Sequence, residues 1–286
     1  MDSVAMAKNA QMDLLIEMDR ICQKHNIRYF LTAGTLIGAI RHDGFIPWDD
    51  DIDVGMLREE FDRFREVCKD ELDPAYFYHD WTLDPASPHP FAKLKIRGTH
   101  YPETLAAKSD MNDCVYIDIF PYDNAPDSEF LRKIHHIKRY LIKKILLLRC
   151  NFDLSGGRLG RRILYGTLKF LSRIRSVEGW KKAYTRMQQQ YNDQPAEKVV
   201  NLGGAYSYAK ESIPRTVVEK TVPHLFEGKL FQVPEGYDAF LRNCYGDYMQ
   251  LPPEEQRVGR HEIVGIDFGT YQIRFVGQEN TVGDDQ

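Results

Sequence analysis

Four aspartates, Asp49, Asp50, Asp51 and Asp53, crowd into the stretch GFIPWDDDIDVGM at residues 44–56. Carboxylates this close repel and raise one another's pKa unless positive charge sits among them. Alternate side chains of a strand share a face. On a strand, Asp51 and Asp53 would therefore point together while Ile52 and Val54 turn to the core. Paired carboxylates suit a hard divalent cation such as Mg²⁺ or Mn²⁺, which takes oxygen ligands. A third candidate is Asp118 in VYIDIFP, flanked by Val115, Ile117, Ile119 and Phe120. A carboxylate in so apolar a strand needs a partner. Neighbouring strands would bring it beside Asp51 and Asp53, and three carboxylates around one or two metals make a phosphoryl-transfer site.

Other readings of the acidic run compete. A solvated acidic loop is one. A calcium loop is another, since Asp49, Asp51, Asp53 and Glu60 fall at its positions 1, 3, 5 and 12. It fails at position 6, where the sharp turn wants glycine and the chain has Val54.

Further residues could complete a site. TAGTLIG puts Gly34 and Thr35 at a strand-to-helix turn, where free helical N–H groups can meet a phosphate. Lys93, Lys95 and Arg97 alternate on an expected strand, so all three should share one face, either a solvated one or one that binds the phosphates or acceptor of a phosphoryl transfer. Arg41 is placed to reach a diphosphate or an aspartate, and Trp48 to stack on a base or wall the pocket. Tyr206, Tyr208, Tyr245 and Tyr248 are candidates either for core filling or for ring faces around a bound cation.

These residues need elements to hold them. NAQMDLLIEMDRICQKH reads as an amphipathic helix, IRYFLTAG as a strand, TLIGAIRH as a short helix and DIDVGM as a strand. LREEFDRFREVCKDEL is helical, and AYFYHDW, FAKLKIRGTHYP and CVYIDIFPYD are strands. Helix and strand thus alternate over the first 125 residues, which argues α/β or α+β. From Ser128 to Gln190 the pattern is helical, with a break expected at LSGGRLG. KLFQVP then reads as a strand, YDAFLRNCYGDYM as a helix and GQENTVGDDQ as a frayed tail. The expected division is a catalytic core at 1–126, a basic helical subdomain at 127–195 and a C-terminal extension packing on the core at 196–286.

The formal net charge of −4 hides an asymmetry. Residues 128–190 carry 16 Lys and Arg against 3 Asp and Glu, a balance of +13, which leaves −17 for the rest. In one helix, Ile134, Ile137, Leu141, Ile145 and Leu148 recur at steps of three and four. A basic amphipathic segment fits peripheral contact with an anionic membrane. It lacks the aromatic interleaving of a nucleic-acid module. Five scattered cysteines without a C-x-x-C pair argue against a disulfide framework or zinc site. With no secretory signal and no apolar run long enough to span a bilayer, a cytoplasmic protein at the inner membrane face is expected.

The segment AGTLIGAIRHDGFIPWDDDIDVGM resembles the signature of the LicD family of bacterial phosphocholine transferases, to which fukutin and fukutin-related protein are distantly related. The likeness continues in FAKLKIRGTHY, YIDIFPYD and FEGKLFQVPEGYDAFLRNCYGDYMQLPPEEQR, covering the first 125 residues and roughly 225–261. It implies a polymerase-β-like nucleotidyltransferase fold with a mixed sheet, in which Gly34 and Thr35 stand for the Gly-Ser/Thr motif. It implies that Asp51, Asp53 and Asp118 bind Mg²⁺ or Mn²⁺. The implied donor is CDP-choline or another CDP-alcohol, and the implied acceptor is a hydroxyl of a glycan, typically lipid-linked, with CMP leaving. Asp118 is open to two roles, metal ligand or acceptor of the hydroxyl proton. A nucleotidyltransferase releasing pyrophosphate and a non-catalytic metal-binding protein are the competing functions.

Overall fold

The computed structural model describes residues 3–104, 112–150, 159–259, 263 and 265–277, with the side chains of 159–163 excepted. Its centre is a mixed sheet in the order β1 (Phe30–Leu31), β2 (Asp53–Leu57), β5 (Tyr116–Ala125), β4 (Ala92–Ile96) and β3 (Tyr76–His79). Strands β2 and β5 are parallel, whereas β4 pairs antiparallel with β5 and with β3. The far half of β5 pairs with β6 (Lys198–Asn201), which pairs with β7 (Ser212–Pro214). Segments beyond the helical region therefore supply two strands to the central sheet. The mixed α/β character expected from the alternation of elements is what the chain adopts.

Strand β5 is buried along its whole length, because helices cover it. Helix α1 (Ser3–Lys24) buries Met12, Leu14, Leu15, Met18 and Ile21 against the sheet. Helix α3 (Arg58–Glu71) packs beside it with Phe61 and Phe64. Asp13 is buried on α1 but satisfied: its carboxylate accepts the Tyr271 hydroxyl and the Arg274 and Phe275 amides, pinning residues 271–275 to the helix. The hairpin β8–β9 (Thr221–Phe226, Lys229–Pro234) turns through Glu227 and Gly228, both at positive φ, which suits the twist of a two-residue loop.

Several expectations need correction. The strand expected over IRYFLTAG shrinks to two residues, because the chain turns left-handed at Ala33 (φ +49°) straight into α2 (Ala33–His42). Strand β2 starts at Asp53, so Asp51 sits on the approach loop rather than on the strand. Strand β4 ends at Ile96, where Gly98 (φ +72°) turns the chain and Thr99 Oγ1 donates to the Ile96 carbonyl.

The basic region forms α4 (Glu129–Arg149), α5 (Leu159–Leu171) and α6 (Val177–Gln188). The break at LSGGRLG and the polar tail fall for the most part outside the described residues. The apolar stripe of α4 divides: Ile145 is buried, while Ile137 stays 56% exposed. Helices α4 and α6 share a smaller core with Trp81, Leu146, Tyr184, Val200 and Leu202. Among the described residues, no helix is long and apolar enough to cross a membrane. Helix α7 (Tyr208–Glu211) and α8 (Tyr237–Tyr245) complete the fold.

Candidate active site

The strand register builds the site. Asp53 on β2 lies opposite Asp118 on β5, and Asp118 lies opposite Lys93 on β4. Residues in register on adjacent strands project to the same face. The three charges thus form one row across the sheet, while Ile52, Val54, Leu94, Ile117 and Ile119 are fully buried around them. Lys93 Nζ donates to Asp118 Oδ1 at 2.6 Å and lies 3.2 Å from the Tyr116 ring centroid. This is the partner that a carboxylate in so apolar a strand demands.

The turn before α2 fixes Asp53 from behind. Its amide donates to Thr35 Oγ1 at 2.8 Å, and its carbonyl accepts the Thr32 amide at 3.0 Å. Thr35 is buried. Its hydroxyl therefore holds the backbone of Asp53 rather than facing solvent. Gly34 packs so closely against the acidic loop that a Cβ there would stand 2.2 Å from Asp49 Oδ2.

One ligand oxygen each from Asp49, Asp50 and Asp51 can be chosen within 4.8 Å of one another. The Asp50 carbonyl accepts from Gln11 Nε2 on α1, which anchors the loop. Burial pushes the Asp53 carboxyl well above the usual carboxylate range; Asp51, Asp118 and Asp49 push it further, and Lys93 pulls the other way. Enclosed negative charge of this kind, made of oxygen donors alone, is matched by a hard divalent cation.

Two cavities meet at Asp51 and Asp53. One, of about 340 Å³, is lined by Gly34, Arg41, Trp48, Asp49 and Tyr248 as well. There Arg41 donates to the Tyr248 carbonyl at 2.6 Å, and the Arg257 guanidinium lies 5.6 Å from the Trp48 ring centroid. Burial lowers the pKa of Arg41, with Arg257 adding to the effect. The other cavity, of about 290 Å³, adds Asp118, Phe91, Phe120, Tyr206, Lys143 and Glu211. Tyr245 borders both cavities. Its ring meets that of Tyr206 edge-on at 5.3 Å. Of the four candidate tyrosines, Tyr206, Tyr245 and Tyr248 thus border the cavities; the Tyr208 hydroxyl meets His135 Nδ1 in the smaller core.

The basic triplet does not act as one face. Lys93 joins the carboxylates. Lys95 is buried and donates to the Asn112 side-chain and main-chain oxygens. Burial, and then Lys93, bring its pKa down to about 8. Arg97 falls beyond the end of β4, stacks 4.9 Å over Phe77 and donates to the Pro74 carbonyl, away from both cavities.

Apart from Tyr206, sequence reasoning missed the wall of the second cavity, NLGGA at residues 201–205. Asn201 Oδ1 accepts the amides of Gly203 and Gly204 at 2.9 Å each, and Arg139 and Lys143 of α4 bind the carbonyls of this loop. Asn followed by paired glycines was the available signal. A further cavity, about 690 Å³, lies elsewhere, beside Arg58, Asn192 and Arg215. Its arginines are already paired, Arg58 with Asp123 and Arg215 with Glu59 and Glu219.

Residues 26–144 match the family model described as LicD/FKTN/FKRP, nucleotidyltransferase domain. The chain is 32% identical over 256 residues to the lipopolysaccharide cholinephosphotransferase LicD of Haemophilus influenzae, covering 87% of this chain and 92% of that protein. It is 42% identical over 40 residues to the human ribitol 5-phosphate transferase FKRP, covering 14% of this chain and 8% of that protein. An uncharacterised protein of Rickettsia prowazekii is 26% identical over 128 residues, 44% of each chain.

Proposed function

This chain belongs to the LicD family, and from that membership and the carboxylate row we propose that it transfers phosphocholine, or a related phospho-alcohol, from a CDP-activated donor to a hydroxyl of a cell-surface glycan. Two of the relatives named above carry the names of a cholinephosphotransferase and a ribitol 5-phosphate transferase. The observation that carries the reading is the register of Asp53 against Asp118, with Asp51 on the adjoining loop. The core is read as a polymerase-β-like nucleotidyltransferase domain.

Asp51, Asp53 and Asp118 would hold Mg²⁺, or Mn²⁺ in its place, which supplies positive charge against the diphosphate and the leaving oxygen. The chain's own part is positioning. Phosphoryl transfer asks for little covalent chemistry from the protein and depends on alignment and electrostatics. Thr35 fixes the backbone at Asp53, and Lys93 fixes the Asp118 carboxylate and balances its charge. Asp118 is thereby given the ligand and orienting role rather than that of general base. Asp51 and Asp53 border both cavities, so a donor in one and an acceptor in the other would meet at these carboxylates. Arg41 and Trp48 line the side assigned to the nucleotide, and the side lined by Phe91, Phe120 and Tyr206 takes the alcohol and acceptor.

The test is incubation with Mg²⁺, a glycan acceptor and a panel of CDP-alcohols, with nucleotide products resolved by chromatography. CMP appearing with transfer of the phospho-alcohol is the expected result. No CMP from that panel, with pyrophosphate released when a nucleoside triphosphate replaces it, would make the protein a nucleotidyltransferase in activity instead.

A further inference from the structure

We propose that the outer faces of α4 and α5 form a docking surface for an anionic lipid bilayer. On α4, Phe130 is 70% exposed and Ile137 56%; on α5, Phe170 is 70% exposed, and Ile174 in the turn after it 72%. Leu131, Tyr140, Leu164 and Leu171 are exposed with them. Single large apolar side chains on the surface are ordinary, but seven on two contacting helices, with Ile174 just beyond, are not.

The charge around these residues selects the occupant. Exposed or half-exposed Lys133, Lys138, Lys144, Arg149, Lys169, Arg173 and Arg175 lie among them, within the segment whose balance is +13. Apolar groups set among long basic side chains suit a headgroup layer, where the rings and branched chains enter the interface and the cations meet lipid phosphates. A nucleic-acid backbone would use the cations and leave Ile137, Ile174 and Leu164 without purpose. A second copy of the same face would set like charge against like.

The surface is also placed to matter. Helix α4 carries it on one side, and on another Lys143 and Leu147 line the cavity that holds Asp118. A bilayer-bound α4 would keep that cavity close to a lipid-linked acceptor. This consequence rests on the transferase reading; the docking surface does not, because none of its residues touches the carboxylates.

Vesicle flotation of the whole chain tests it, comparing vesicles that contain phosphatidylglycerol with vesicles of neutral lipid alone. The chain should float with the anionic vesicles and not with the neutral ones. Binding should be lost near 1 M salt, where the screening length falls to about 3 Å. Each basic contact at an anionic surface is worth about fivefold in partitioning, so Lys138→Ala with Arg173→Ala should weaken binding about 25-fold. Phe170→Ser with Ile174→Ser should weaken it as well. With a soluble acceptor, both double variants should release CMP from a CDP-alcohol donor as the parent does, which separates loss of docking from loss of the enzyme. Equal flotation with both vesicle types, flotation with neither, or self-association in place of lipid binding would overturn the proposal. A chain that floats as expected yet transfers nothing would leave the surface standing and remove the transferase reading.

Discussion

Asp118 and Lys93 face each other across the antiparallel pair β5–β4, and the Lys93 ammonium donates to the Asp118 carboxylate at 2.6 Å. Both side chains are nearly buried, at 12% and 7% exposure. Such a pair costs desolvation that its attraction only roughly offsets. Its value lies in holding the carboxylate in place with balanced charge.

Lys93→Met should strand that charge. Breaking a buried pair by removing one partner typically costs about 3–5 kcal/mol. A clear fall in the melting temperature is expected, recovered in part by Mg²⁺, together with reduced turnover. An unchanged melting temperature would mean that the pair does no structural work.

Thr35 gives a second test. Thr35→Val removes the acceptor for the Asp53 amide, and an unsatisfied buried donor costs about 1–3 kcal/mol. Thr35→Ser keeps the oxygen and should restore both stability and turnover. If valine and serine behave alike, the threonine serves packing and not the position of Asp53.

The raised pKa of Asp53 sets a pH dependence in the metal-free protein. A carboxyl whose folded pKa lies above its unfolded value stabilises the fold at low pH. That contribution is lost as pH rises from the ordinary carboxylate range through the raised value. Measured in chelator, the melting temperature of the parent relative to Asp53→Asn should therefore decline as pH rises through that window. Added Mg²⁺ should remove the decline. A difference that is flat with pH in chelator would show that Asp53 ionises at no cost.

Arg97→Ala is the negative control. Its guanidinium lies over Phe77 and away from both cavities, so turnover should change by no more than about twofold, as for ordinary surface substitutions. A loss comparable to that of Asp53→Asn would bring Arg97 back into the site.

The sequence made the acidic residues legible because their chemistry is local. A cluster such as Asp49–Asp53 and an aspartate set in VYIDIFP stand out from their immediate neighbours. It also gave most elements, since α1, α3 and β5 carry long periodic or apolar runs. What it hid depends on register and turns. The pairing of Lys93 with Asp118 follows from which residue of β4 stands opposite which residue of β5. Alternation alone put Lys95 and Arg97 with it; burial of Lys95 and the early end of β4 separate them. The left-handed turn at Ala33, a residue with no outward preference for one, shortened β1. The glycine loop at 203–204 gains meaning only when Arg139 and Lys143, some sixty residues earlier, are seen to hold it.

The most direct test of the central claim is CMP release from CDP-choline, with Mg²⁺ and a glycan acceptor, by the parent chain and by Asp51→Asn and Asp53→Asn. Transition-state stabilisation of this kind is worth at least about 100-fold in turnover. The parent should release CMP with transfer of phosphocholine or, from another CDP-alcohol, of its phospho-alcohol. Each variant should fold and melt as a cooperative protein yet turn over at least about 100-fold more slowly. Near-normal CMP release by either variant would contradict the assignment of these carboxylates as the reaction centre.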